Sequence, residues 1–157
     1  MTIRLIAIGK TDNTELQNLI ADYVKRLGHY IKFELDIIPD LKNAKNLSEE
    51  QQKQKEGELI LKKITTSDVL VLLDEKGKQF SSKEFANVLQ KRMNSGIKKL
   101  IFTIGGPYGF SDEVYSRADQ KISLSKMTFS HQMVRLFVVE QIYRAFTILR
   151  NEPYHHD

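Results

Sequence analysis

The 157-residue chain contains no cysteine. Disulfide frameworks, thiolate metal sites and cysteine nucleophiles are therefore excluded, and the absence fits a reducing compartment. Nor is there an uncharged apolar run of about eighteen residues, the length a membrane helix needs. The N-terminal run Thr2-Ile3-Arg4-Leu5-Ile6-Ala7-Ile8 is strand-like, too short for a signal peptide and without a small-residue cleavage site. Internal repeats and Pro/Gly/Ser-rich linkers are missing too. Together these absences lead to the expectation of a soluble, cytoplasmic protein of one domain, residues 1–157, with no membrane partner. The formal net charge of +4 tilts towards an anionic partner such as RNA, although most surface lysines simply keep a face solvated.

What is present is an alternation of strand and helix. Ile3 to Ile8 reads as a buried strand that ends at Gly9-Lys10-Thr11. That tripeptide has the ending of a P-loop, but Arg4 stands where the P-loop's first glycine is required, which excludes a nucleoside triphosphate site there. Asp12 or Asn13 caps a helix through Leu16, Leu19, Ile20, Tyr23, Val24 and Leu27, with Gly28 as its stop. The cations Lys25, Arg26 and His29 at its end suit either the helix dipole or a basic rim for RNA. Lys32 to Ile38 alternates like a half-buried strand. Asp40 to Leu47 reads as a mobile connection. Ser48-x-x-Gln51 and Ser81-x-x-Glu84 have capping-box form and open two further helices, to about Ile64 and to Gly96. Asp68 to Leu73 and Lys99 to Ile104 are unbroken apolar runs, the mark of parallel strands buried on both faces. Asp74-Glu75-Lys76-Gly77-Lys78 reads as a loop between them. A short helix from Ser111 to about Arg117 and a strand from Lys121 to Leu124 follow.

The last helix, about His131 to Arg150, is apolar on nearly every side, with Met133, Val134, Leu136, Phe137, Val138, Val139, Ile142, Tyr143, Ala145, Phe146, Ile148 and Leu149. An amphipathic surface helix shows one stripe. This one needs two packing surfaces, its own sheet and another, either a second copy of the chain or further elements of a monomer. Behind it runs a polar tail, Asn151 to Asp157. The pattern as a whole is α/β, a mostly parallel sheet flanked by helices. Ligands in such folds sit beyond the carboxyl ends of the strands. Three loops are thus expected to wall a site: the one after Leu73, Gly105-Gly106-Pro107-Tyr108-Gly109, and Ser125 to Ser130. The glycine turn follows a late strand and lacks GxGxxG spacing, so it is no dinucleotide fingerprint.

Four segments together resemble one family: Ile104-Gly105-Gly106-Pro107-Tyr108-Gly109; Leu124-Ser125-Lys126-Met127-Thr128-Phe129-Ser130-His131-Gln132; Glu140-Gln141-Ile142-Tyr143-Arg144-Ala145; and Pro153-Tyr154-His155. They are similar to the ribosomal RNA large subunit methyltransferase H family of the SPOUT, or α/β-knot, class. The resemblance covers the whole chain. It implies a trefoil knot, with knot and tail over about residues 98–157, a feature no spacing argument would propose because knots are nearly absent among folds. It implies a homodimer built on the last helix. It implies S-adenosylmethionine as cofactor, held by Leu73, Gly105, Leu124, Ser125, Lys126, Met127, Thr128 and Phe129, and no metal. The implied substrate is N3 of a pseudouridine in a stem-loop of large-subunit (23S) ribosomal RNA within the assembled ribosome.

N3 of a uracil-like base carries a proton, so transfer needs a base or donors to the flanking oxygens. His155 and Tyr154 are the candidates for base or orienter. Arg144 and Arg135 are the candidates for contact with an oxyanion or a phosphate. The tail would complete the partner's site, and His131 would orient the loop. His156 departs from the family's usual basic ending, and His155 with His156 alone makes no metal site. The alternative reading is a ribosome-binding assembly factor of the same fold without transfer activity.

Overall fold

A computed structural model describes all residues from Met1 to Asp157. In chain order the elements are β1 (Thr2–Ile8), α1 (Thr14–Leu27), β2 (Lys32–Ile38), α2 (Glu49–Leu61), β3 (Val69–Gln79), α3 (Ser82–Asn94), β4 (Lys99–Ile104), α4 (Asp112–Arg117), β5 (Gln120–Ser123) and α5 (His131–Leu149). Every helix starts where a short polar side chain takes up an orphan backbone N–H. Asn13 accepts from Leu16, Ser111 from Val114 and Ser130 from Met133, while Ser48 and Ser81 form complete capping boxes with Gln51 and Glu84. Replacing such a cap with alanine costs about 1 kcal/mol. Gly28 ends α1 in right-handed backbone, whereas Gly96 ends α3 at φ 77°, a conformation other residues avoid.

The five strands form one sheet in the order β2-β1-β4-β3-β5, every neighbouring pair parallel. The central strands are buried on both faces, which is why Leu70-Val71-Leu72 and Leu100-Ile101-Phe102 read as unbroken apolar runs. One face carries α1, α3 and α5 over a core of 18 buried residues; the other carries α2 and α4 over only 9. The thicker face is therefore the one that holds α5, between α1 and α3.

One sequence expectation changes. Asp74-Glu75-Lys76-Gly77-Lys78 is not a loop, because β3 continues through it to Gln79 with a register break between Leu73 and Lys78 opposite β5. A Cβ on Gly77 would lie 2.7 Å from the backbone of Ile122, so the missing side chain is what lets the two segments run together. Charge and a glycine argue for a loop locally; pairing with a strand over forty residues away overrides them. The connection after β2 holds a single 3-10 turn, Ala44–Asn46, entered through Asn43 at φ 59°.

Candidate active site

The carboxyl ends of β3, β4 and β5 come level, with Leu73 opposite Ile104 on one side and Ile122 on the other. Beyond them lies a cavity of about 460 Å³ walled by residues 73–76, 104–110, 122–125 and 127–129, with Tyr115, His131 and Val134. The three segments expected from the sequence are its three walls, although the one after Leu73 is strand rather than loop. Leu73, Gly105, Leu124, Ser125, Met127, Thr128 and Phe129 all line it; Lys126 shares the loop but is not in the lining. Ten of the 21 lining residues are hydrophobic, a mixture suited to a ligand with a flat apolar part and polar substituents.

The loop after β5 is shaped by its own hydroxyls. Ser123 donates to the carbonyl of Ser125 at 2.8 Å, the Ser125 hydroxyl accepts from the Met127 N–H at 3.0 Å, and Thr128 donates to Glu75 at 3.2 Å. Side chains thus fold the loop, engaging its Ser125 carbonyl and its Met127 N–H. On the next wall, Gly109 takes φ 82° and donates its N–H to the Gly106 carbonyl at 3.1 Å. Gly106 is fixed by crowding, since a Cβ there would stand 2.5 Å from Oε1 of Glu56. Glu56 is 3% exposed and its Oε1 has no hydrogen-bond partner. Burial pushes its pKa up, Gln52 opposes that by hydrogen bonding, and Asp40 adds to it. Nothing in the sequence sets Glu56 apart from the other acidic residues of α2. On the third wall the Tyr115 hydroxyl donates to Asp74. Burial, then the Asp74 hydrogen bond, push the Tyr115 pKa up, so it stays a phenol.

Arg135 overturns an expectation. It is 1% exposed and donates to the carbonyls of Ile8 and Gly9, both at 2.7 Å, to the His131 carbonyl at 3.1 Å and to Thr11 Oγ1 at 3.1 Å. A guanidinium engaged in this way and sealed from solvent is not offered to a phosphate or an oxyanion. It ties the start of α5 to the end of β1, and so holds His131 and Val134 on the cavity wall.

His155, Tyr154 and Arg144 come together, as expected, but with each other rather than with the cavity. Helix α5 ends in a Schellman motif: Asn151 at φ 55° donates to Ile148 at 3.1 Å and Glu152 to Thr147 at 2.9 Å. The turn folds the tail back onto α1 and α5. Glu140 Oε1 then accepts from Arg144 Nη2 at 2.6 Å and from the Tyr154 hydroxyl at 2.9 Å, and that hydroxyl lies 3.0 Å from the Tyr23 hydroxyl. Burial, then the bonds to Tyr23 and Glu140, hold the Tyr154 pKa above the ordinary phenol value. A bond to Glu152 likewise pushes Tyr30 up to about 12. Arg144 Nη1 lies 3.2 Å from His155 Nδ1, and His155 Nε2 lies 2.9 Å from Asp157. Because a guanidinium only donates, Nδ1 accepts and the ring proton sits on Nε2, facing Asp157. Asp157 also pairs with Lys83. From His131 at the cavity to Arg144 the helix rises about 20 Å. Within one chain the tail residues are not in the cavity lining; the expectation from the sequence was that the tail completes the partner's site.

The family described as "Predicted SPOUT methyltransferase" matches residues 1–155. The chain belongs to the SPOUT methyltransferase family. A protein named ribosomal RNA large subunit methyltransferase H from Christiangramia forsetii is 72% identical over 156 residues, covering 99% of each chain. One of the same name from Parabacteroides distasonis is 62% identical over 157 residues, covering 100% of each. A solved structure of a probable methylase family protein from Haemophilus influenzae is 14% identical with a TM-score of 0.50, over 95% of this chain and 66% of that one. That likeness concerns the fold alone. No helix of this SPOUT family member is long and apolar enough to cross a membrane.

Proposed function

We propose that this chain is an S-adenosylmethionine-dependent methyltransferase of large-subunit ribosomal RNA, acting on N3 of a pseudouridine in a stem-loop of the assembled ribosome. The observation that carries the reading is the cavity beyond β3, β4 and β5, two of whose three walls are segments that resemble the family. Full-length relatives bearing the ribosomal RNA methyltransferase name support the substrate.

The residues present fit the cofactor. A volume of about 460 Å³ lies within the roughly 300–1,000 Å³ range of small-molecule sites, and Gly105 keeps a side chain out of it. When bound, the cofactor supplies a methyl group on a positively charged sulfur. Leu73, Gly105 and the loop from Leu124 to Phe129, Lys126 included, would hold it, largely by backbone groups. Closing the loop around the reacting atoms would exclude water and align acceptor with methyl.

The working unit we propose is a homodimer of a single SPOUT domain, residues 1–157, knotted over about residues 98–157. We read segment 124–130 as crossing the end of β3 and the β3–α3 connection, since Thr128 bonds Glu75 of β3 and Phe129 lines a cleft with Phe80 and Phe85. A knot would be formed at that crossing. The outer stripe of α5 leaves Met133 and Phe137 exposed beside Phe129, whose ring centroid is 5.1 Å from that of Phe137. A second copy would cover that stripe and bring its tail to the cavity. There Tyr154 and Arg144 would act as donors to the base's carbonyl oxygen, because both are kept protonated. His155 would accept the N3 proton on Nδ1 once Arg144 turns from it to the RNA.

The test incubates the protein with methyl-labelled cofactor and either ribosomes lacking the modification or naked ribosomal RNA. Label in the pseudouridine on assembled ribosomes alone is expected. Cofactor binding without label on either substrate would favour the assembly-factor reading instead.

A further inference from the structure

The next inference rests on the reading that the cavity holds S-adenosylmethionine, and concerns the charge the cavity prefers in that ligand. We infer that Asp74, braced by Tyr115, makes the cavity select the cationic methyl donor over the uncharged thioether left after transfer.

Four side chains lining the cavity can carry charge at neutral pH: Asp74, Glu75, Lys76 and His131. Glu75, Lys76 and His131 are exposed, so water screens them. Asp74 is half-buried and held at both oxygens: Oδ1 accepts the Lys76 N–H at 2.8 Å, and Oδ2 accepts the Tyr115 hydroxyl. None of the ion pairs in the fold involves it. Lys121 lies over the Tyr115 ring, 5.6 Å from its centroid, and makes no pair with Asp74. Asp74 is thus a fixed negative charge on the wall with no cation assigned to it, and the protonated phenol beside it brings no second anion.

The donor has a sulfonium, an ammonium and a carboxylate, for a net charge of +1. On transfer the sulfur–methyl bond breaks, its electron pair stays on sulfur, and the methyl bonds N3, whose proton leaves. The thioether that remains is net neutral and otherwise the same molecule. Contacts to adenine, ribose and amino acid therefore cancel between the two, and attraction between the sulfonium and a fixed carboxylate does not. A carboxylate here loads the charged donor and favours release of the spent one. The same attraction fades as the charge is dissipated in transfer, so Asp74 acts on KM more than on kcat.

Calorimetric titration with the donor, the thioether product and an analogue bearing a protonated amine in place of the sulfonium tests this. The wild type is expected to bind both cations about tenfold more tightly than the thioether, a difference of about 1.4 kcal/mol. Asp74→Asn is expected to bring the three within about twofold, leaving thioether affinity unchanged. Tyr115→Phe is expected to weaken the preference for cations without abolishing it, because Asp74 keeps its charge and its Lys76 bond but loses its brace. A wild type that binds without that preference overturns the inference and leaves the cavity assignment standing; one that binds none of the three removes both. Equal weakening of all three ligands by Asp74→Asn would make Asp74 a shaping residue only, and Tyr115→Phe reproducing Asp74→Asn would assign the effect to the tyrosine.

Discussion

The cavity and the tail are built on opposite plans. The cavity is lined by segments folded by a few short local bonds, Ser123 to the Ser125 carbonyl, the Met127 N–H to Ser125 and Thr128 to Glu75, and the carboxylate packed beneath its glycine turn, Glu56, has an unpartnered oxygen. The tail is saturated: Tyr23, Tyr154, Glu140, Arg144, His155, Asp157 and Lys83 form one continuous chain of hydrogen bonds and ion pairs. One region encloses open space and the other holds its polar side chains against each other. Helix α5 runs between them, about 20 Å from His131 to Arg144, and that distance is why a single chain does not assemble the proposed site.

The sharpest way to break the comparison is to fill the cavity alone. A Cβ at Gly105 already meets the Phe110 ring at 3.2 Å and 3.3 Å, so Gly105→Val is expected to abolish cofactor binding, read by calorimetry, with the fold retained by circular dichroism. Unchanged affinity would move the site elsewhere. Next in size, Arg135→Met leaves the carbonyls of Ile8 and Gly9 without their side-chain donor, and is expected to lower unfolding stability by about 3 kcal/mol in a denaturant titration.

His155→Ala is expected to leave cofactor affinity intact and to slow transfer by about tenfold or more, within the range of acid–base assistance. Mixing that variant with Gly105→Val asks directly whether cavity and tail work across a dimer. Random re-association gives half mixed dimers with one intact composite site each, hence about a quarter of wild-type activity; no recovery would put the tail back in its own chain's site.

The smallest effect concerns Glu56. Its pKa is raised in the fold, so its share of stability is full below the unfolded carboxylate value of about 4.3 and is lost as pH rises through the raised value. Glu56→Gln removes that proton and is expected to flatten the fall in Tm as pH rises above the ordinary carboxylate value. An unchanged slope would mean that Glu56 finds a partner in solution.

Much of the architecture is legible in the residues themselves. Caps at Ser48 and Ser81, the span Lys32–Ile38, the buried runs before Leu73 and Ile104 and the three site walls all follow from local signals: hydroxyl spacing, period-two alternation and unbroken apolarity. The departures share a cause. Residues 74–78 belong to β3 because β5 pairs on both sides of the register break, at Leu73 and at Lys78, and Arg135 is buried because two carbonyls at the far end of the chain accept its hydrogen bonds. Glu56 matters because Gly106 lies against it.

The sequence by itself determined the α/β alternation, the helix starts and the segments that resemble the family, because each depends on residues within a turn or two of one another. Only the tertiary structure decided which charges are spent on the protein's own backbone and which face the cavity. It also decided that tail and cavity lie at opposite ends of α5, since hydrogen-bond partners over a hundred residues apart are chosen by packing and leave no mark on local spacing.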